Sequence, residues 1–189
     1  MTAGASRVVG EVTDRADAAP ARWPLLLGVA AAVLALDQLT KAWAVEALDD
    51  GHVIDLVGSL RLRLVVNHGA AFSLSDGRGP LISLLALAVV AVLLHTGRRT
   101  ARPAMAVALG LVVGGALGNL TDRAFRAGDG LLGGGVIDFV DLQWWPVFNV
   151  ADSGVVVGAV LLFLLQLNEE AGDRRHRGEP QGDGGAGPG

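Results

Sequence analysis

Four long apolar runs constrain the fold of this 189-residue chain more than any other feature of its sequence. They cover residues 24–47, 80–96, 104–125 and 146–167. Each length lies within the range of about 17 to 25 residues that an α-helix needs to cross a bilayer. The second run is the shortest and the third is rich in glycine, but neither has the polar face of a surface helix. The runs therefore predict an all-α integral membrane protein with four transmembrane helices.

Composition narrows the chemistry further. The chain has no cysteine, which excludes disulfides, thiolate metal sites and a cysteine nucleophile. It carries no His-Glu-x-x-His pattern, so a zinc site of that kind is not expected. The sequence shows no strongly basic patch, which argues against a nucleic-acid partner.

Arginine placement predicts the orientation in the membrane. Three groups of arginines fall on one side of a four-span protein, and the positive-inside rule makes that side cytoplasmic. These groups are Arg7, Arg15 and Arg22; Arg98, Arg99 and Arg102; and Arg174, Arg175 and Arg177. Both termini are then cytoplasmic, and the segments 48–79 and 126–145, with Gly77 and Gly130, lie outside.

The chain divides into a membrane domain and two polar tails. We expect residues 1–22 and 169–189 to be disordered cytoplasmic tails and residues 23–168 to form the domain. The first span carries Asp37 and Lys41 and is too long for the apolar region of a signal peptide, so we interpret it as retained.

The first outer segment predicts a small β-structure. Apolar and charged residues alternate from Leu60 to Leu64, which is typical of a half-buried strand. Gly69 and the pair Asp76-Gly77 offer turns. We predict an extracytoplasmic β-hairpin or β-cradle between helices 1 and 2, resting on lipid or on helix ends.

Charged residues within the spans need partners or a function, because a central charge costs at least about 2.5 kcal/mol to insert. Asp37 and Lys41 are four residues apart and share one helix face. They either form an ion pair with each other or position other groups of the site. Asn119, Asp122 and Arg123 end the third span, where a structural network is favoured over direct catalysis.

Two more aspartates invite a functional interpretation. If Pro146 begins the fourth helix, Asp152 lies about a turn and a half inside it, with Asn149 on the same face, and either pairs with Arg123 or Lys41 or performs chemistry. Asp138 lies in an apolar pentad outside the third span, where a surface residue of an amphipathic helix would give the same pattern.

Paired carboxylates are the chemistry that these residues support best. Ser153 lacks the sequence motif of a serine nucleophile. The four histidines of the chain fall in the outer segments, at the end of the second span and in the C-terminal tail, so a Ser-His pair is not supported. Two close aspartates share one proton, so that one activates water and the other polarises a carbonyl. The residues alone do not rank Asp138 above Asp122.

Five short segments occur in a fixed order along the chain. They are Asp37-Gln38-Leu39-Thr40-Lys41, Asn67-His68-Gly69-Ala70-Ala71-Phe72, Gly118-Asn119-Leu120-Thr121-Asp122-Arg123, Val136-Ile137-Asp138-Phe139 and Phe148-Asn149-Val150-Ala151-Asp152. In this order, and at these places relative to four spans, they resemble the lipoprotein signal peptidases, or signal peptidase II. The connection 124–135 is longer and richer in glycine than is usual in that family.

The resemblance implies a membrane aspartyl endopeptidase that cuts diacylglyceryl-modified bacterial prolipoproteins just before the lipidated cysteine. It places the catalytic pair at Asp138 and Asp152. It implies substrate-binding or site-organising roles for Asp37, Lys41, Asn67, Gly69, Asn119, Asp122, Arg123 and Asn149. We expect no metal or other cofactor, membrane lipids as further partners, and a monomer in the bacterial cell membrane with its active site near the extracytoplasmic face.

Two other classes remain open from the residues alone. Intramembrane Asp, Lys and Arg also form the relays of proton-coupled transporters, although here they cluster at the outer ends of the spans. A structural membrane protein with a buried ion-pair network would not need Asp138 and Asp152 to converge.

Overall fold

A computed structural model describes residues 21–68, 79–126 and 132–176 of the chain. Residues 1–20 and 177–189 of the predicted tails 1–22 and 169–189, and the predicted turns at Gly69 and Asp76-Gly77, lie outside the described residues. The described residues form four helices and a three-stranded sheet. The helices are α1 (Trp23–Ala47), α2 (Gly79–Gly97), α3 (Pro103–Phe125) and α4 (Val150–His176); the strands are β1 (Val53–Val57), β2 (Leu60–Asn67) and β3 (Val136–Asp141).

All four helices are long and apolar enough to cross a membrane. The prediction of a mainly helical protein with four transmembrane helices is therefore confirmed. The helix α3 is central, because it packs against each of the other three helices. Glycine allows this packing: a Cβ atom at Gly114 would lie 2.6 Å from the carbonyl oxygen of Ala30 in α1.

The fourth helix differs from its prediction at both ends. It begins at Val150 and not at Pro146, because Phe148 still pairs with Val140 of β3 in an antiparallel bridge. It continues to His176, so the prediction of a disordered tail from residue 169 is wrong for residues 169–176. A helix that is already formed extends without a new nucleation step, and Arg102 before α3 forms an ion pair with Glu169.

The sheet is larger than the predicted hairpin. The strand β2 lies between β1 and β3 and pairs with both in antiparallel fashion. Leu62 and Leu64 of β2 pack against a buried cluster of Ala44, Leu48 and Phe139. The sheet therefore lies on the end of α1. Of the two expected arrangements, on lipid or on helix ends, this is the second.

The third strand resolves the alternatives for the apolar pentad around Asp138. Val136 pairs with Asn67, and Asp138 pairs with Val65, so the pentad is a strand and not an amphipathic helix. Five of the six residues of β3 are buried. The sheet thus brings Asp138 beside Asn67, 71 residues earlier in the chain.

Candidate active site

The ammonium group of Lys41 is the centre of a buried polar network between α1 and α3. Its Nζ lies 2.8 Å from Asp37 Oδ2, 3.0 Å from Asp122 Oδ2 and 2.9 Å from Asn119 Oδ1. An ammonium has three N–H donors, so all three are used. Lys41 and Asp37 have no solvent exposure. Two roles were expected for Asp37 and Lys41. The ion pair between them is present. Lys41 can also position the Asn119 side chain, because it donates to the amide oxygen of Asn119.

Asp37 also connects α1 to the beginning of α4. Its Oδ1 accepts the backbone N–H of Ala151 at 2.9 Å, one of the N–H groups that a helix leaves unpaired in its first turn. Gln38 donates to Asp37 at 3.1 Å and to Asp122 at 3.3 Å. The two carboxylates are thus saturated with donors, as buried carboxylates must be.

Asp122 connects the end of α3 to β3. Its Oδ2 accepts the backbone N–H of Ile137 at 3.0 Å, and its Oδ1 accepts Arg126 Nε at 2.9 Å. Arg126 was not among the predicted site residues, although its position four residues after Asp122 is a recognisable signal. Asp122 therefore holds the residue that precedes Asp138.

Arg123 contacts a backbone carbonyl of the segment that precedes β3. Its Nη1 donates to Gly134 O at 3.4 Å, and Gly134 N donates to Arg123 O at 3.0 Å. Its guanidinium also interacts electrostatically with Asp122 and Asp138. The close ion-pair partners of Asp122 are Lys41 and Arg126.

Asp138 is almost fully buried and accepts two amide donors. Asn67 Nδ2 lies 2.9 Å from its Oδ2, and Asn149 Nδ2 lies 2.7 Å from its Oδ1. Burial is the largest influence on this carboxyl and raises its pKa to about 6; the Asn67 bond opposes the rise and the negative charge of Asp152 adds to it. Such a carboxyl can hold a proton near neutral pH.

Asp152 lies in the first turn of α4, and the expectation that it lies deeper in the helix is wrong. Its carboxylate accepts Asn119 Nδ2 at 2.8 Å and the backbone N–H of Asn149 at 3.2 Å. Asn149 Oδ1 in turn accepts the backbone N–H of Asp152 at 2.9 Å. The carboxylate of Asp152 thus lies among N–H donors at the N-terminal end of α4. The possible ion-pair partners Lys41 and Arg123 are not its close contacts; amides are.

Asn149 therefore joins the two aspartates. One side of its amide donates to Asp138, and the other accepts from Asp152. Asn119 repeats the arrangement, since its oxygen accepts from Lys41, which has no acceptor atom, and its nitrogen must face Asp152. Gly69, the remaining predicted site residue, lies outside the described part of the chain.

A cleft of about 500 Å³ lies beside the two aspartates, between α2, α3 and α4. Asp138, Asp152, Asn67, Asn119 and Arg123 line it together with many apolar side chains, among them Ile82, Val89, Ala116, Leu120, Val155 and Val156. A mostly apolar cleft with a few convergent polar groups is the usual form of a binding site. Ser83 also lines it and was not singled out from the sequence, because one hydroxyl in an apolar span has no pattern.

Asp141, the other aspartate of β3, belongs to a separate cluster. It accepts Arg63 Nε at 2.5 Å and Arg61 Nε at 2.9 Å, each from β2. The bond from Arg63, with smaller contributions from the Gln143 N–H and Arg61, holds the pKa of Asp141 at about 2. This carboxylate stabilises the sheet and does not line the cleft.

Comparison with known proteins gives a consistent result. The family described as Signal peptidase (SPase) II matches residues 29–168. A lipoprotein signal peptidase of Rhodococcus jostii is 52% identical over 144 residues, which are 76% of this chain and 72% of the relative. Its counterpart in Mycobacterium avium is 49% identical over 152 residues, 80% of this chain and 83% of the relative.

Solved structures support the fold. A bacterial membrane enzyme determined at 1.9 Å resolution is 26% identical and superposes with a TM-score of 0.66, covering 76% of this chain and 93% of that one. A second bacterial membrane enzyme, at 2.3 Å, is 24% identical with a TM-score of 0.67 and shares the fold.

Proposed function

Since the chain belongs to the signal peptidase II family, we propose that it removes signal peptides from prolipoproteins by aspartic endopeptidase chemistry, with Asp138 and Asp152 as the catalytic pair. The observation that carries the proposal is the convergence of these two carboxylates on Asn149 at the wall of an apolar cleft. The substrate is a diacylglyceryl-modified prolipoprotein, cut just before the lipidated cysteine.

The charges around the pair support a single shared proton. Three cations, Lys41, Arg123 and Arg126, accompany the four carboxylates of Asp37, Asp122, Asp138 and Asp152. One proton on the pair makes this group neutral. Because two close aspartates cannot both ionise without repulsion, a singly protonated pair is the stable form.

The environments of the two aspartates favour different roles. Asp138 is buried, with a raised pKa, and holds the proton. Asp152, at the beginning of α4, is the ionised base. Asp152 takes a proton from water as the water oxygen attacks the scissile carbonyl carbon, and Asp138 donates its proton to the carbonyl oxygen. When the C–N bond breaks, the proton on Asp152 passes to the leaving amine, and the hydroxyl proton of the intermediate returns to Asp138.

The other predicted residues organise this pair. Lys41 donates to the oxygen of Asn119 and so orients the Asn119 amide, whose N–H donates to Asp152. Asn67 and Asn149 donate to Asp138. Asp37, Asp122 and Arg123 hold the elements that carry these residues. Preorganised donors of this kind need no rearrangement during the reaction. The apolar side chains that line the cleft suit an extended apolar signal-peptide segment.

We further propose a membrane domain spanning residues 23–168, a site near the extracytoplasmic face and cytoplasmic termini, supported by the arginine asymmetry. A proton-coupled transporter is disfavoured, because residues 23–36, 81–94, 103–117 and 153–168 contain no titratable side chain to carry a proton through the bilayer.

The test is cleavage of a lipidated prolipoprotein peptide by the purified protein in detergent. We expect one cut before the lipidated cysteine and no cut in the same peptide without lipid. Activity should survive strong chelators, because no three metal-binding side chains converge among the described residues. Loss of activity on chelation that one metal restores would mean a different reaction class.

A further inference from the structure

Ser83 of α2 is a buried hydroxyl that the proposed chemistry does not use. Its Oγ lies 2.9 Å from the carbonyl oxygen of Gly79 and 2.9 Å from that of Leu132. A hydroxyl has one proton and donates to one of them at a time. The Gly79 carbonyl is four residues earlier in the same helix and can accept the Ser83 backbone N–H. Leu132 lies outside the helices and strands, so we assign the hydroxyl proton to its carbonyl oxygen.

Leu132 begins the short segment 132–135 that leads directly into β3. It has a φ of +61°, a conformation that residues other than glycine seldom adopt and that the surroundings must stabilise. Gly134 is packed tightly against α3, since a Cβ atom there would lie 2.6 Å from Arg126 O. A Cβ atom at Gly79 would lie 3.1 Å from Gly133 Cα. The segment is thus held between the beginning of α2 and the end of α3.

We propose that Ser83 is a positioning residue for Asp138, acting through the carbonyl of Leu132. The inference rests on the proposed function. By fixing the start of the segment, the hydroxyl sets where β3 begins and keeps the Asp138 carboxyl within reach of the Asn67 and Asn149 amides. The charged groups that face Asp138 are Asp152 of α4, Lys41 of α1 and Arg123 of α3. None of them is on α2, so α2 acts on Asp138 through the backbone alone.

The test compares Ser83→Ala with Ser153→Ala in purified enzyme. The Ser153 hydroxyl donates to the carbonyl oxygen of Asn149, the residue that caps its own helix, and this bond is local, so the variant is a matched control. For Ser83→Ala we expect kcat to fall about fivefold to tenfold, the effect of one misaligned hydrogen bond. KM should stay within about twofold of the parent value, because the cleft keeps its apolar surface.

The pH dependence separates positioning from simple stability. The Asn67 and Asn149 bonds lower the pKa of Asp138, so weakening them raises it. Asp138 then keeps its proton to higher pH, and the alkaline limb of kcat should move upward in Ser83→Ala only. Ser83→Cys introduces a thiol, a weaker donor of similar size, into a chain that has no cysteine. The kcat of this variant should lie between that of the parent and that of Ser83→Ala.

Three outcomes overturn the inference. Ser83→Ala could lose thermal stability yet keep the kcat and the alkaline limb of the parent. Ser153→Ala could lose as much kcat as Ser83→Ala. The kcat of Ser83→Cys could be lower than that of Ser83→Ala, which would make side-chain volume the cause. A different result tests the proposed function itself: if Asp138→Asn still cleaves, the catalytic assignment fails whatever Ser83 does.

Discussion

Asn149 and Asp152 cap each other at the beginning of α4. The backbone N–H of Asp152 donates to Asn149 Oδ1 at 2.9 Å, and the backbone N–H of Asn149 donates to Asp152 Oδ2 at 3.2 Å. This reciprocal arrangement is a capping box, in which each side chain satisfies the other residue's backbone. The proposed catalytic base is therefore held by its own helix, and its position does not depend on a loop.

Replacing either proposed catalytic carboxyl with an amide should abolish cleavage. In Asp138→Asn and Asp152→Asn the amide cannot accept a proton from water or exchange the shared proton. Both variants should still insert and purify, because an amide is close to a carboxyl in size, its oxygen keeps one of the two hydrogen bonds, and the repulsion between the two carboxyls is relieved. The matched control is Asp141→Asn, in the same strand but bound to Arg61 and Arg63. It should keep cleavage, and near-parental turnover in either catalytic variant would refute the pair.

Asn149 offers a way to separate capping from amide donation. Asn149→Asp keeps a good N-cap residue but places a third carboxylate against Asp138, so activity should be lost while stability near neutral pH changes little from capping alone. Asn149→Ala should lose both, with about 1 to 2 kcal/mol of stability lost from the cap. Thermal unfolding and peptide cleavage of the two variants, measured together, distinguish these effects. Full activity in Asn149→Asp would show that its amide is dispensable.

The raised pKa of Asp138, about 6, predicts that the stability of the parent falls relative to that of Asp138→Asn as the pH rises. The unfolded carboxyl ionises near its ordinary pKa, so the folded state binds more protons between the two values. Its stability therefore falls as pH rises towards about 6 and levels off above it. Relative to Asp138→Asn, the parent should lose about 1 kcal/mol between pH 5 and pH 7.5. Unfolding in detergent at both pH values measures this, and a constant difference would contradict it.

The same pKa predicts how cleavage depends on pH. If the pair needs one proton and Asp138 holds it, kcat/KM for the lipidated peptide should decrease above about pH 6 as that proton is lost. A rate that rises steadily to pH 9 would be incompatible with this assignment. A peptide made without histidine or free cysteine and with a blocked N-terminus has no group of its own that titrates in this range.

Arg123 should be sensitive even to a change that keeps its charge. Lysine cannot reach Gly134 O with the planar geometry of a guanidinium, so Arg123→Lys should reduce turnover. Arg123→Ala should lower turnover further and cost about 1 to 3 kcal/mol of stability. The cost stays moderate because Asp122 keeps its ion pairs with Lys41 and Arg126. Arg126→Ala, at a partly exposed position, is the comparison; parental behaviour of Arg123→Ala would make Arg123 peripheral.

Membrane orientation can be tested cleanly in a chain that has no cysteine. Ser59→Cys, in the exposed turn between β1 and β2, should react with a membrane-impermeant thiol reagent on intact cells. Ala171→Cys, on the exposed surface near the end of α4, should react only after the membrane is opened. The opposite pattern would reverse the proposed sidedness. Gly77 and Gly130, also predicted outside, lie beyond the described residues.

Local patterns in the sequence predict the helices well. The first three runs match α1, α2 and α3 within a residue at each end, because apolar length is itself the signal for a span. The start of α4 is missed because Pro146 suits a first helical turn, yet pairing of Phe148 with Val140 delays the helix until Asn149 can cap it. The strand β3 is ambiguous for a similar reason, since a short apolar run fits a strand or a buried helix.

The candidate site depends on contacts that no local pattern contains. Spacing places Asp37 and Lys41 on one face, but nothing in it directs Asp37 to the N–H of Ala151, 114 residues later. Asp138 and Asn67 meet only through the register of the sheet. The resemblance to a family supplied the ranking of Asp138 above Asp122. The contacts of Ser83 and Arg126 became visible only in the structure.

The bond from Ala151 to Asp37 has a consequence for biosynthesis. During synthesis the first span enters the membrane long before the fourth, and its buried carboxylate then lacks one of its N–H donors. The proposed base, Asp152, has no fixed position until α4 docks and completes that bond. A partly made chain is thus unable to hydrolyse peptides, and proteolytic competence arises in one step when the last helix joins the first.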